Sequence, residues 1–146
     1  YSVQNAGTAS RISLGKMQEA INARPRIRRL VLNYTEALLA QTFQTVSCNA
    51  VHTVEARCAN WILSTRDRID QDSLPLTHEV LAEMLGVQRS TVSLVLHTLQ
   101  MAGLIGQSRG VITVKDRAGL EETACECYGR IIERYRKLLP GPVSRS

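Results

Sequence analysis

Two sets of residues could do chemistry in this sequence. The first is Arg89, Ser90, Ser93, Leu94 and His97. On a helix starting near Arg89 they lie opposite Val92, Val95, Leu96 and Leu99, which suit a core. A guanidinium at the start of such a helix can donate two hydrogen bonds to a guanine edge, worth about 1–3 kcal/mol of discrimination. Ser90 and Ser93 can bond base edges or let the helix come close, Leu94 can meet a thymine methyl, and His97 is a further candidate on that side. Thr77, His78, Gln88, Thr91, Ser108 and Arg109 are polar residues suited to phosphate contact instead.

The second set is Cys48, Cys58, Cys125 and Cys127, with His52. Cys48 and His52 are four apart, so they share one helix face, and a dimer would present two of each at its seam. No pair has CxxC spacing, and no set has zinc-finger spacing. The plainer expectation is a small polar stretch at Cys48 and His52, with Cys125 and Cys127 as packing and surface residues, all reduced. No metal site and no cofactor is therefore expected in this chain. The histidines His52, His78 and His97 have no evident nucleophile beside them, and there is no Walker A run, GxGxxG or HExxH. The chain is not expected to be an enzyme.

The elements that must position these residues are mostly helices. Of 146 residues, 44% are hydrophobic and 21% charged, as in a folded protein, and only 4% are aromatic. A Leu, Val, Ile and Ala core follows. The net charge of +5 suits a polyanionic partner, though weakly. Within residues 77–115, Arg89, Arg109 and Lys115 oppose Glu79 and Glu83, so Arg57, Arg66 or Arg68 would have to add phosphate contacts.

Tyr1 to Ile12 reads as one or two short strands, and Ser13 to Ala23 as a short helix. Pro25 fits the first turn of a long helix reaching His52, with no Gly or Pro inside it. Ile27, Val31, Tyr34, Leu38, Gln41, Thr45, Cys48 and His52 recur at four- and three-residue steps, the spacing of a two-stranded seam. Little other sequence before residue 53 could cover that face. A helix over 53–68, a solvated charged loop over 66–72, an extended piece at Leu74-Pro75-Leu76 and a final helix over 116–139 complete the pass. Pro140-Gly141-Pro142 ends that helix, and the tail is expected to be disordered.

Residues 77–101 read THEVLAEMLGVQRSTVSLVLHTLQM. Thr77 can cap a helix that runs to Leu85. Gly86 can take the positive φ that stops it, and Val87 returns to the core. Leu81, Leu85, Val87, Val92 and Val95 fall where two crossing helices share a core, with the small Ala82 at their closest approach. That is helix-turn-helix spacing. Two short strands over 104–114, with Arg109 at the turn, make a wing.

This segment, with VEARCANWIL before it and RGVITV after it, resembles the C-terminal half of the Crp/Fnr family of bacterial regulators. The resemblance runs from about Ile12 to Val114. It implies a mainly α fold with a small β wing: residues 1–24 a remnant of a sensor domain, 25–52 a dimerisation helix, 53–139 a winged helix-turn-helix domain with a C-terminal helix, and 140–146 a tail. The family's R-E-T-V-x-R helix is matched here at Arg89, Thr91 and Val92, while Ser90 and Leu94 depart from it and imply a different operator. The Gly-Glu…Arg stretch that holds a cyclic phosphate does not occur, so no cyclic nucleotide is expected to bind. The implied partners are double-stranded DNA, a second copy of the chain, and RNA polymerase if the protein activates; no membrane is expected, and the cytoplasm is the implied location. The alternatives are a metal- or redox-sensing dimer module using Cys48 and His52, and a winged helix that binds protein.

Overall fold

The computed structural model describes residues 8–139. Ser13 accepts a hydrogen bond from the Lys16 N–H and starts α1 (Leu14–Ala23). Pro25 opens α2 (Pro25–Val51), which runs unbroken for 27 residues. Thr53 caps α3 (Val54–Ile69) through the Ala56 N–H. There follow β1 (Ser73–Leu74), α4 (His78–Leu85), α5 (Arg89–Met101), β2 (Ile105–Ser108), β3 (Val111–Val114), α6 (Arg117–Thr123) and α7 (Cys127–Leu138). The three strands are antiparallel in the order β1-β3-β2. Ile105 pairs with Val114, Ser108 with Val111, and Leu74 with Ile112.

One core joins these elements. Cys58, Ala59, Ile62 and Leu63 of α3 meet Leu81 and Leu85 of α4, Val92, Leu96 and Leu99 of α5, and Leu74, Ile105 and Ile112 of the sheet. Leu120 and Tyr128 close it from the C-terminal side. The mainly α architecture with a small β wing is thus observed.

Four expectations change. Residues 8–12 are exposed and form no strand, and residues 1–7 lie outside the described residues, as does the tail from Pro140. The stretch from Arg66 is not a solvated loop, because α3 continues to Ile69 and ends on Asp70 at φ 52. The Arg66 and Asp67 side chains are each only 11% exposed. Asp67 accepts from Arg117 Nη1 at 2.8 Å and from the Tyr128 hydroxyl at 2.6 Å, while Arg66 pairs with Asp72 at 2.8 Å. Charges taken from water need such partners, and these bonds tie α3 to α6 and α7.

The final helix is two helices. Asp116 does cap the first through the Gly119 N–H, but Ala124 turns extended, and the chain bends before α7. α7 then packs along α2. Asn33 donates to the Leu138 carbonyl at 2.7 Å, the Tyr135 hydroxyl donates to Gln41 at 2.7 Å, and Arg134 pairs with Glu36. Gln41, Cys48 and His52, assigned from spacing to a dimer seam, therefore face the chain's own C-terminal part. Ile27 and Val31 are half-buried, and Tyr34, Leu38 and Thr45 remain exposed.

Burial pushes the Cys58 thiol from 9.0 up to about 12. Burial, then the bond to Asp67, raises Tyr128 above its usual 10.0. Both groups hold their protons longer folded than unfolded, so above pH 9 the unfolded chain binds fewer protons and stability falls as pH rises. We expect the melting midpoint to drop steadily from pH 9 to 12. Cys58→Ala should flatten that slope, and an identical slope in the variant would remove Cys58 as a cause.

Candidate nucleic-acid interface

The bend between α4 and α5 follows from Gly86, which adopts φ 65 and directs its N–H to the Ala82 and Glu83 carbonyls. A side chain is strained at that angle. The Val87 N–H also reaches the Ala82 carbonyl, at 3.1 Å, and Val87 packs on the core. α5 then starts at Arg89 with Val92, Leu96 and Leu99 buried and Val95 packed against the core. Its other side is open: Arg89, Ser90 and His97 are exposed, and Leu94 is 67% exposed.

Arg89 is not idle. Its Nε lies 2.6 Å from Glu79 in the first turn of α4, with both side chains about two-thirds exposed (66% and 64%). Glu79 is held below the usual carboxylate range, first by backbone hydrogen bonding at its own position and then by Arg89. An exposed pair of this kind is screened by water and adds little, so another acceptor can take Arg89 away.

Ser93 differs from its neighbours. Its hydroxyl sits 2.8 Å from His78 Nδ1 and also contacts the Arg89 carbonyl. Gln107 of β2 donates both hydrogens of Nε2, to the Leu96 carbonyl and to Gln100. Its Oε1 thus faces His78 Nε2 at 2.9 Å. His78 and Gln107 together lock the start of α4, the middle of α5 and the wing. His78 and Ser93 were assigned from sequence to separate contacts, with phosphate and base. The structure brings them into contact with each other.

Thr77 caps α4 through the Val80 N–H. At the wing, Gly110 takes φ 73, Ser108 and Arg109 are exposed, and Arg109 stands at the turn. A cavity of about 240 Å³ runs between Thr77, His78, Arg89, Ser108 and Gly110, where α4, α5 and the wing converge. Gln88 is exposed and Thr91 half-buried beside it. Of the extra cations suggested from sequence, Arg57 donates to the Leu85 carbonyl and Arg66 pairs with Asp72. Both serve the fold.

A second cluster lies outside this surface. Cys48, His52, Cys125 and Cys127 offer ligand atoms all within 4.8 Å of one another. Cys125 and Cys127, expected to be packing and surface residues, are both buried, and the bend before α7 aims them at Cys48. Burial, then the neighbouring Cys125 thiol, pushes Cys48 up to about 12.

The paired helices and the two-stranded hairpin define a winged helix-turn-helix. Residues 56–123 match the Crp-like helix-turn-helix domain, and this segment of the chain is one. The structure is similar to a protein described as a Crp/Fnr-family transcriptional regulator from Eubacterium rectale: 26% identity, TM-score 0.54, covering 73% of this chain and 50% of that one. A CRP-family transcriptional regulator from Thermus thermophilus shares the fold at 24% identity and TM-score 0.58, covering 70% of this chain and 54% of that one. The chain thus spans about half the length of these relatives. No curated protein is significantly similar to it.

Proposed function

We propose that the chain regulates transcription by binding double-stranded DNA, reading one half-site through α5 with the wing on the adjacent phosphates. One observation carries this reading. The exposed side of α5 presents Arg89, Ser90, Leu94 and His97, and the wing stands beside it. The same helix buries its opposite side in the domain. The likeness to Crp/Fnr regulators supports it. In such a complex Arg89 exchanges Glu79 for a base edge, and Ser108 and Arg109 meet phosphate.

A homodimer on an inverted repeat is part of the proposal. Leu32, Leu39, Phe43 and Val46 of α2 are 52–69% exposed. They are spaced seven, four and three residues apart, on the side of α2 roughly opposite Gln41, Cys48 and His52. That stripe, rather than the face α7 covers, suits a second copy of the helix. Among the described residues no helix is long and apolar enough to cross a membrane.

Selection from random duplex DNA tests the proposal. We expect an inverted repeat with half-site centres about 34–36 Å apart, bound with a steep salt dependence. Recovery of no consensus, or binding indifferent to salt, would overturn it.

A further inference from the structure

We propose that Cys48, His52, Cys125 and Cys127 form a closed tetrahedral site for one zinc ion, clamping the end of α2 to the bend between α6 and α7.

The ligand set is the first ground. Three thiolates and an imidazole are a combination that holds structural zinc, and a soft sulfur-rich set disfavours magnesium or calcium. Geometry is the second. Zinc–sulfur bonds of about 2.3 Å and zinc–nitrogen bonds of about 2.0–2.1 Å imply tetrahedron edges of about 3.5–3.8 Å. Cys48 Sγ lies 3.4 Å from Cys125 Sγ, Cys127 Sγ lies 3.5 Å from His52 Nδ1, and no pair exceeds 4.8 Å. A small contraction closes the figure. An iron–sulfur cluster, with several irons and sulfides between its ligands, needs a wider opening.

The surroundings are the third ground, because they suit a charged centre. His52 turns Nδ1 inward and places Nε2 3.3 Å from Glu126, the residue between the two cysteines. A carboxylate behind a ligating histidine fixes the ring and raises its basicity. Gln44 donates to Cys127 Sγ at 3.1 Å, and Asn60 to Cys125 Sγ at 3.7 Å. N–H donors beside a metal-bound sulfur hold it in place. Arg57 lines the cavity beside Cys48 and Cys127, and its buried Nε has no hydrogen-bond partner. Three thiolates, a neutral imidazole and Zn(II) carry a net charge of −1, which that guanidinium offsets. Binding is a ligand exchange without redox change: zinc sheds its waters, and the thiol protons go to solvent.

The site is independent of the DNA reading. To test it, the chain is purified without chelator and its zinc, iron, sulfide and free thiols are counted. It is then stripped under reducing conditions and titrated with Co(II). We expect one zinc per chain, and for Co(II) the visible bands of a tetrahedral ion with thiolate charge transfer. Cys127→Ser and His52→Ala should lose most of the metal, and Cys58→Ser should keep it. Glu126→Gln, at an exposed carboxylate, should weaken affinity about tenfold to a hundredfold with the fold intact. Any of three results would overturn the site: negligible zinc with octahedral Co(II), matching iron and sulfide, or two thiols lost to a disulfide.

Discussion

Replacing Arg89 by alanine is expected to lower operator affinity by about 1–3 kcal/mol per half-site, roughly five- to 150-fold, with a much smaller loss on unrelated duplex. The guanidinium is two-thirds exposed, and its one observed partner, Glu79, is equally exposed. Removing it should therefore leave stability within about 0.5 kcal/mol. Glu79→Gln should act in the opposite sense. It removes a negative charge from the interface and frees Arg89, so affinity for all duplexes rises and discrimination narrows. Fluorescence anisotropy on operator and scrambled duplexes measures both variants. Equal losses on the two duplexes for Arg89→Ala would reduce that residue to a phosphate contact.

Leu96→Ala is expected to cost about 3–4 kcal/mol, a large share of the roughly 5–15 kcal/mol that holds a domain together. Leu96 is fully buried in the core that α3, α4, α5 and the sheet share, and its carbonyl accepts from Gln107. The cavity left there has rigid walls on several sides. Leu94→Ala, two residues away on the open side, should change stability by under about 0.5 kcal/mol. Urea titrations of the pair give the contrast, and similar costs for both would mean that α5 packs by another face.

The helix-turn-helix was legible because its determinants are local. Thr77, Ala82, Gly86 and the apolar positions of α5 lie within about twenty residues, and each has a short-range reason for its place. The wing was legible likewise, from a turn between two short apolar runs. What packs on α2 was not. Periodicity tells that a helix has a favoured face but not which element covers it. α2 carries two usable faces. The one through Gln41, Cys48 and His52 is met by α7 and the bend before it, 75 to 94 residues later in the chain. The stripe through Leu39 and Phe43 is left exposed.

The convergence of Cys125 and Cys127 on Cys48 was hidden for the same reason, since their place depends on a bend at Ala124 that no Gly or Pro announces. One signal could have been weighed more heavily: two Cys- or His-containing pairs, Cys48 with His52 and Cys125 with Cys127, in a chain with few of either residue. Glu79 as partner of Arg89, and Gln107 as the brace behind Ser93, have no local signal in the sequence, because both contacts are made between separate elements.

The return of α7 onto α2 has a mechanical consequence. The helix-turn-helix leaves α2 through the short step from His52 to Thr53, and a body hung from one such joint can turn about three axes. α7 adds a second attachment, because it touches α3 on one side and runs back along α2 on the other. Two anchors leave free rotation only about the line that joins them. A tilt of α2 across that line is therefore delivered to α5 through a stiff lever, and α5 tilts with α2.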